Sequence, residues 1–268
     1  MTSKFIAHGA DKYDLYMGRW SRRLAPLFLD FAGLAPGETV LDVGCGTGSL
    51  TFSLAQRADL AKVQAVDYEE QFVQAARERN TDPKIQFQKA DACDLPFPDK
   101  EFDRVLSLLV LHFVSDAERA IGEMRRVLRP GGVAAAAVWD TFGGMPTLRL
   151  FWDCAATVEP RAMDRRDAAL VRPMTLSGDM QRAFFKMGFC DVTESTLAVR
   201  MEFKDFDDYW TPLLTVQGTI TEYLNSLPQP TRQRIETSVR AAFLCNLPDG
   251  PRSFSTVAWA VRGRAPVG

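Results

Sequence analysis

The run Val40-Leu-Asp-Val-Gly-Cys-Gly-Thr-Gly-Ser49 constrains this chain more than any other stretch. A short apolar strand leads straight into a turn with glycines at 44, 46 and 48, and a helix opens near Gly48. Glycines there let the backbone approach a ligand closely, while the free amides of the helix start point at it. The dinucleotide fingerprint would need glycine at position 49, where Ser49 stands. The phosphate-binding P-loop would need Lys and then Ser or Thr where Ser49-Leu50 follow the last glycine. Both phosphate readings are weakened, and glycine-rich turns of this kind also occur without a ligand.

The flanking periodicity fits an α/β sheet. Tyr13, Tyr16, Met17, Trp20, Leu24, Leu27, Phe28 and Phe31 recur at helical spacing, predicting a helix from about Lys12 to Phe31 that stops at Gly33 and Pro36. Residues 39–43, 62–66, 84–87, 102–108 and 133–139 read as strands, with helices opening near Gly48, Glu69 and Ser115. Ser115-Asp-Ala-Glu118 has the form of a capping box, and Ala117, Ile121, Met124 and Leu128 give one apolar face before Pro130-Gly-Gly132. Strands alternating with helices imply a parallel sheet covered on both faces. Beyond Trp139 the pattern predicts a helix ending at Gly188, a strand from Cys190 to about Met201 and a last strand from Phe254 to Arg262. Between those strands, 204–251 carries helical periodicity such as Ile235, Val239 and Phe243, interrupted by Pro228 and Pro230.

Composition removes several function classes. The 268 residues hold 32 Lys plus Arg against 34 Asp plus Glu, so no global positive field exists to hold nucleic acid. Five cysteines without a C-x-x-C pair predict neither a disulfide framework nor a metal site, and a reduced, cytoplasmic setting. No stretch approaches 18 uninterrupted apolar residues, so no membrane span is expected, and the first twenty residues lack a sustained apolar leader.

Two acids extend the glycine signal. Asp67 ends the second strand about twenty residues after the glycines, where a carboxylate can accept from both hydroxyls of a ribose. Asp91 follows the third strand at the same carboxyl edge, where open parallel sheets bind ligands. With these residues in place, the chain resembles the class I S-adenosylmethionine-dependent methyltransferases, especially the ubiquinone and menaquinone biosynthesis type (methyltransferase type 11). The matching segments are VLDVGCGTGSLT (40–51), AVDYEEQFV (65–73), KADACDLPFPDKEFDRVLSLLVLHFV (89–114) and VLRPGGVAAAAVWD (127–140).

The resemblance implies a Rossmann-like fold: a seven-stranded, mostly parallel sheet with helices on both faces, an antiparallel last strand, and helical insertions forming a lid. The chain is expected to divide into an N-terminal cover helix (1–36), a core (37–203 and 251–263) and a helical insertion (204–250) that, on the methyltransferase reading, forms the acceptor lid with 141–175. S-adenosyl-L-methionine is the implied cofactor. Gly44, Cys45 and Gly46 would line its methionine part, with Asp42 beneath and Gly48 allowing close helix packing. Asp67 would hold the ribose hydroxyls, Tyr68 would lie against the adenine, Asp91 would accept from the adenine amino group, and Ala92 would offer its amide to a ring nitrogen. Ser107 and Leu108 would sit near the sulfonium, and Tyr13 and Arg19 belong to a segment resembling the cover helix.

Methyl transfer from a sulfonium needs alignment more than acid–base machinery. His112, after the fourth strand, is the expected base where an acceptor must lose a proton, with Asp140 second. Trp139, Phe142, Phe151, Trp152, Tyr209 and Trp210 either line an acceptor pocket or form core. A small-molecule acceptor is the expected partner. The alternative is a non-catalytic S-adenosylmethionine-binding sensor or interaction protein. An arsenic methyltransferase would need converging thiols, and a nucleoside-polyamine transferase an acidic cluster, neither of which the spacing shows.

Overall fold

A computed structural model describes residues 14–57, 59–215 and 218–267. Its strands are β1 (Thr39–Val43), β2 (Lys62–Asp67), β3 (Ile85–Lys89), β4 (Phe102–Leu108), β5 (Leu128–Trp139), β6 (Cys190–Phe203) and β7 (Arg252–Arg264). They form one sheet in the order β3-β2-β1-β4-β5-β7-β6. β1 to β5 pair in parallel, and β7 runs antiparallel to both β5 and β6. The sheet is thus mostly parallel with an antiparallel last strand.

The helices are α1 (Arg19–Ala32), preceded by a π-helical turn over Asp14–Gly18, then α2 (Ser49–Arg57), α3 (Glu70–Arg79) and α4 (Ala117–Arg126). They continue with α5 (Pro146–Val158), α6 (Ala162–Leu170), α7 (Asp179–Lys186), α8 (Phe206–Thr215), α9 (Thr219–Asn225) and α10 (Gln229–Leu244). Alternation along β1 divides the core: Val40 packs with Leu24, Phe28 and Leu54 of α1 and α2, whereas Leu41 and Val43 pack with Ile121 and Met124 of α4. β1 and β4 are buried on both faces along most of their length, and the polar side chains of Asp42, Arg104 and Ser107 are buried with them.

Helices α5, α8 and α10 close over an aromatic cluster. Tyr209 stacks on Phe243 at 5.2 Å and Phe206 on Trp210 at 5.6 Å, with Phe203 edge-on to Tyr209 at 5.4 Å. Phe151, Tyr209 and Trp210 are therefore core, and Phe142 is exposed against the Arg149 guanidinium.

Two local readings need correction. Helix α4 is capped by Asp116 and not Ser115: the Asp116 carboxylate accepts from the Arg119 amide at 2.9 Å. Leu128 leaves the helix, because the Val127 carbonyl accepts from the amides of Glu101 and Phe102. Leu128 then pairs with Phe102, and the register jumps to Arg104 opposite Val133, so Pro130-Gly-Gly132 is a bulge inside β5.

Candidate active site

Strand order reverses between β1 and β4, opening a crevice beyond the carboxyl ends of the strands. The glycine turn builds its floor. The amides of Gly44 and Cys45 both donate to the Val66 carbonyl, at 2.7 and 2.9 Å, pinning the turn to the end of β2. Gly44 has φ +80, and a Cβ there would lie 2.3 Å from the Val110 side chain. Gly48, at φ +93, lets the Phe52 ring pack where a side chain would stand, 2.4 Å from that Cβ position. The Gly46 amide donates to Asp67 Oδ2 at 2.8 Å, and the Glu69 amide donates to Oδ1 at 2.9 Å.

These contacts frame a cleft of about 350 Å³ that brings together Gly44, Cys45, Gly46, Asp67, Tyr68, Asp91, Ala92 and Leu108. Its charged walls are Asp67, Glu69 and Asp91, and no Lys or Arg lines it among the described residues. Burial raises the Asp67 carboxyl above its usual range, opposed by the amides of Glu69 and Gly46. Burial also pushes the Cys45 thiol well up, with help from Asp42 and Asp67. A carboxylate has about four lone-pair sites, so Asp67 keeps acceptor capacity for ligand hydroxyls.

Four other predicted residues stand off this wall. Asp42 is fully buried beneath the loop, where Thr51 Oγ1 donates to its Oδ2 at 2.6 Å, and burial raises its pKa to about 7. Gly48 acts in the packing of α2. Ser107 points between strands and donates to the Val43 carbonyl at 3.0 Å, because side chains alternate and its neighbour Leu108 takes the cleft side. Arg19 turns away to Asp208, its Nη1 donating to the carboxylate at 2.8 Å and its Nη2 to the backbone carbonyl at 3.1 Å. Tyr13 lies outside the described residues.

A second cavity of about 130 Å³ adjoins the first, with Leu109 and Phe113 on the walls of both. Leu109 has φ +64, a strained conformation for a bulky side chain, and its amide donates to the Ala137 carbonyl at 2.7 Å. His112 is buried on the second cavity's wall, tilted against Phe113 with ring centres 3.9 Å apart, and its Nδ1 has no hydrogen-bond partner among the described residues. Burial, reinforced by the Arg172 guanidinium, drives the imidazole pKa down to about 3.

Arg172 shares that wall, half-buried. Its Nε donates to the Ala169 carbonyl at 3.2 Å, its Nη2 reaches Thr219 Oγ1 at 3.4 Å, and its Cζ lies 5.2 Å from the Phe113 ring centre. No carboxylate pairs with it among the described residues. Trp139 and Trp152 also line this cavity, while Asp140 lines neither cavity and accepts from the Gly143 amide at 2.9 Å. Neither Arg172 nor the strained Leu109 was identifiable from the sequence; for Arg172 the available signal was that 141–175 had no role in the sheet.

Residues 41–136 match the family model described as a methyltransferase domain. This segment is a methyltransferase domain. A ubiquinone/menaquinone biosynthesis C-methyltransferase of Teredinibacter turnerae is 36% identical over 132 residues, covering 46% of this chain and 53% of that one. The chain spans about half the length of the curated relatives it matches. Among solved structures, the YcgJ protein of Bacillus subtilis superposes with TM-score 0.58 at 20% identity, over 92% of this chain and 99% of that one. Phosphoethanolamine N-methyltransferase 2 of Haemonchus contortus, in complex with S-adenosyl-L-methionine, gives TM-score 0.61 at 16% identity, over 96% and 57%. At these identities the structural matches establish the fold around the methyltransferase domain, and function rests on the site.

Proposed function

We propose that this chain is an S-adenosylmethionine-dependent methyltransferase acting on a small-molecule acceptor. The observation that carries the reading is the charge of the cleft: three carboxylates and no Lys or Arg among the described residues. Such a wall opposes a pyrophosphate and favours a nucleoside with a cationic tail. Asp67 accepts from the ribose hydroxyls, Tyr68 covers the adenine, Asp91 accepts from its amino group, and the Ala92 amide meets a ring nitrogen. The loop from Gly44 to Gly46 follows the methionine part, with Leu108 beside the sulfonium.

Bound there, the cofactor supplies an electrophilic methyl group on a leaving sulfur. The chain's own residues then hold the acceptor in line and keep water out. Leu109 and Phe113 form the boundary at which the two cavities meet. Residues of 141–175 and of the 204–250 insertion, including Met145, Trp152, Leu213 and Ile220, wall the second cavity and serve as the acceptor lid. His112, held neutral and only weakly basic, offers Nδ1 as a hydrogen-bond acceptor to a hydroxyl of the acceptor and so orients it. The quinone chemistry named for the Teredinibacter relative supports an aromatic acceptor.

Five free thiols support a reducing, cytoplasmic setting, and no helix is long and apolar enough to cross a membrane among the described residues. The near-balanced charge argues against nucleic acid as partner.

Thermal unfolding of the full chain tests the reading. A ligand at 100 times its Kd stabilises the fold by about 2.7 kcal/mol. S-adenosylhomocysteine is expected to raise the melting temperature and NAD to leave it unchanged; a rise with NAD, or with neither, would overturn the proposal.

A further inference from the structure

The second cavity combines three features that an apolar lid does not need. It holds a half-buried guanidinium with no carboxylate partner among the described residues, a buried imidazole nitrogen without a hydrogen-bond partner, and two indole-bearing walls. A guanidinium has five N–H donors, and among the described residues Arg172 commits them to Ala169 and Thr219, one at 3.2 Å and one at a long 3.4 Å. Donors remain for a planar, two-oxygen anion, the geometry that arginine binds in bidentate fashion. A buried cation is costly to leave without a counter-charge, and a ligand carboxylate would supply one.

Size and wall chemistry narrow the rest of the molecule. About 130 Å³ is close to the roughly 150 Å³ of an engineered cavity that holds benzene, so there is room for one ring. Trp139, Trp152, Met145 and Leu148 give that ring apolar and aromatic surfaces. Arg172 lies over Phe113, which also walls the donor cleft, so an anion bound to it would be anchored next to the boundary between the cavities. A single guanidinium matches a monoanion; a phosphate dianion would bring a second charge into an apolar cavity with nothing to meet it.

We infer that the acceptor is a small one-ring aromatic acid whose carboxylate is bound by Arg172, with a ring substituent within reach of His112 Nδ1. The inference rests on the methyltransferase reading and makes Arg172 the residue that sets specificity for that reaction. It confines the quinone-like chemistry to an acidic single ring, without a long apolar tail inside the cavity.

Isothermal titration of the full chain with S-adenosylhomocysteine, followed by benzoate, benzamide or phenyl phosphate, tests it. Benzoate should bind at least tenfold more tightly than benzamide and more tightly than phenyl phosphate. Arg172→Gln should abolish that preference and Arg172→Lys should retain part of it, while S-adenosylhomocysteine affinity stays the same in both. Absence of benzoate binding, equal binding of benzamide, tighter binding of phenyl phosphate, or a preference that survives in R172Q would each overturn the inference. Should R172Q fail to fold, the wild-type comparison of benzoate with benzamide and the R172K result decide. Failure of S-adenosylhomocysteine to bind the wild type would count against the methyl-donor reading instead, and benzoate titrated alone would still report on Arg172.

Discussion

The Gly46 amide donates to the Asp67 carboxylate at 2.8 Å, tying the glycine turn after β1 to the acid that ends β2. One side chain thus shapes the loop and lines the cleft. Loop geometry and ligand affinity should change together when Asp67 changes, whereas substitutions behind the cleft wall should separate stability from binding.

Gly44→Ala should damage both. The left-handed backbone at φ +80 costs a side chain about 1–2 kcal/mol, and the new methyl would meet Val110 at 2.3 Å. Val110 lines the cleft, so its displacement intrudes on the ligand. Urea unfolding should show a loss of about 2 kcal/mol or more, and titration a weaker S-adenosylhomocysteine complex.

Asp42 should make the fold less stable as pH rises. Its carboxyl titrates near pH 7 in the folded chain and near 4 when unfolded, so between those values the native state carries the extra proton. Stability attributable to this group is present below about pH 4 and is lost as pH rises towards 7, with a limiting slope of about 1.4 kcal/mol per pH unit. Asp42→Asn keeps an oxygen for Thr51 and removes the titration. Unfolding free energies at pH 5 and pH 8 should therefore fall less steeply with pH in D42N than in the wild type.

His112 acts in the opposite sense. Its pKa is about 3 when folded against about 6.5 unfolded, so its contribution is complete above pH 6.5 and is lost as pH falls towards 3. His112→Phe should flatten the acid limb of the stability curve, read by urea unfolding between pH 4.5 and 7.5. Loss of the imbalance between wild type and variant at pH 4.5 would mean that the imidazole is not buried as described.

Arg19→Ala should lower stability and spare ligand binding. The guanidinium joins the start of α1 to Asp208 of α8 and lies 4.3 Å from the Trp20 ring centre, away from the cleft. S-adenosylhomocysteine affinity should stay within about twofold of wild type while the melting temperature drops by a few degrees, as a loss of about 1 kcal/mol implies.

What the sequence made legible follows from how local each signal is. The sheet from β1 to β5 could be read because its buried parallel strands are short, mostly apolar runs and helices repeat at 3.6, as Leu41, Val66 and Ile121 illustrate. The cleft could be read because Gly44, Asp67 and Asp91 each sit at or just past a strand end, where topology decides their position. Whether a named residue faces the cleft or the layer behind it was harder to see: Asp42 and Ser107 spend their polar groups on Thr51 and Val43. The second cavity had no local pattern, since His112, Trp139, Arg172 and Ile220 come from four separate segments and meet only in three dimensions.

The most direct measurement is isothermal titration of S-adenosylhomocysteine into the wild-type chain and into Asp67→Ala. Removing a carboxylate that accepts charge-assisted hydrogen bonds should cost about 1.5–3 kcal/mol, or roughly ten- to a hundredfold in Kd. One saturable site in the wild type, weakened to that extent in D67A while the variant stays folded, is the expected result. Absence of binding to the wild type, or equal affinity in the two proteins, would contradict a donor site built on Gly46 and Asp67.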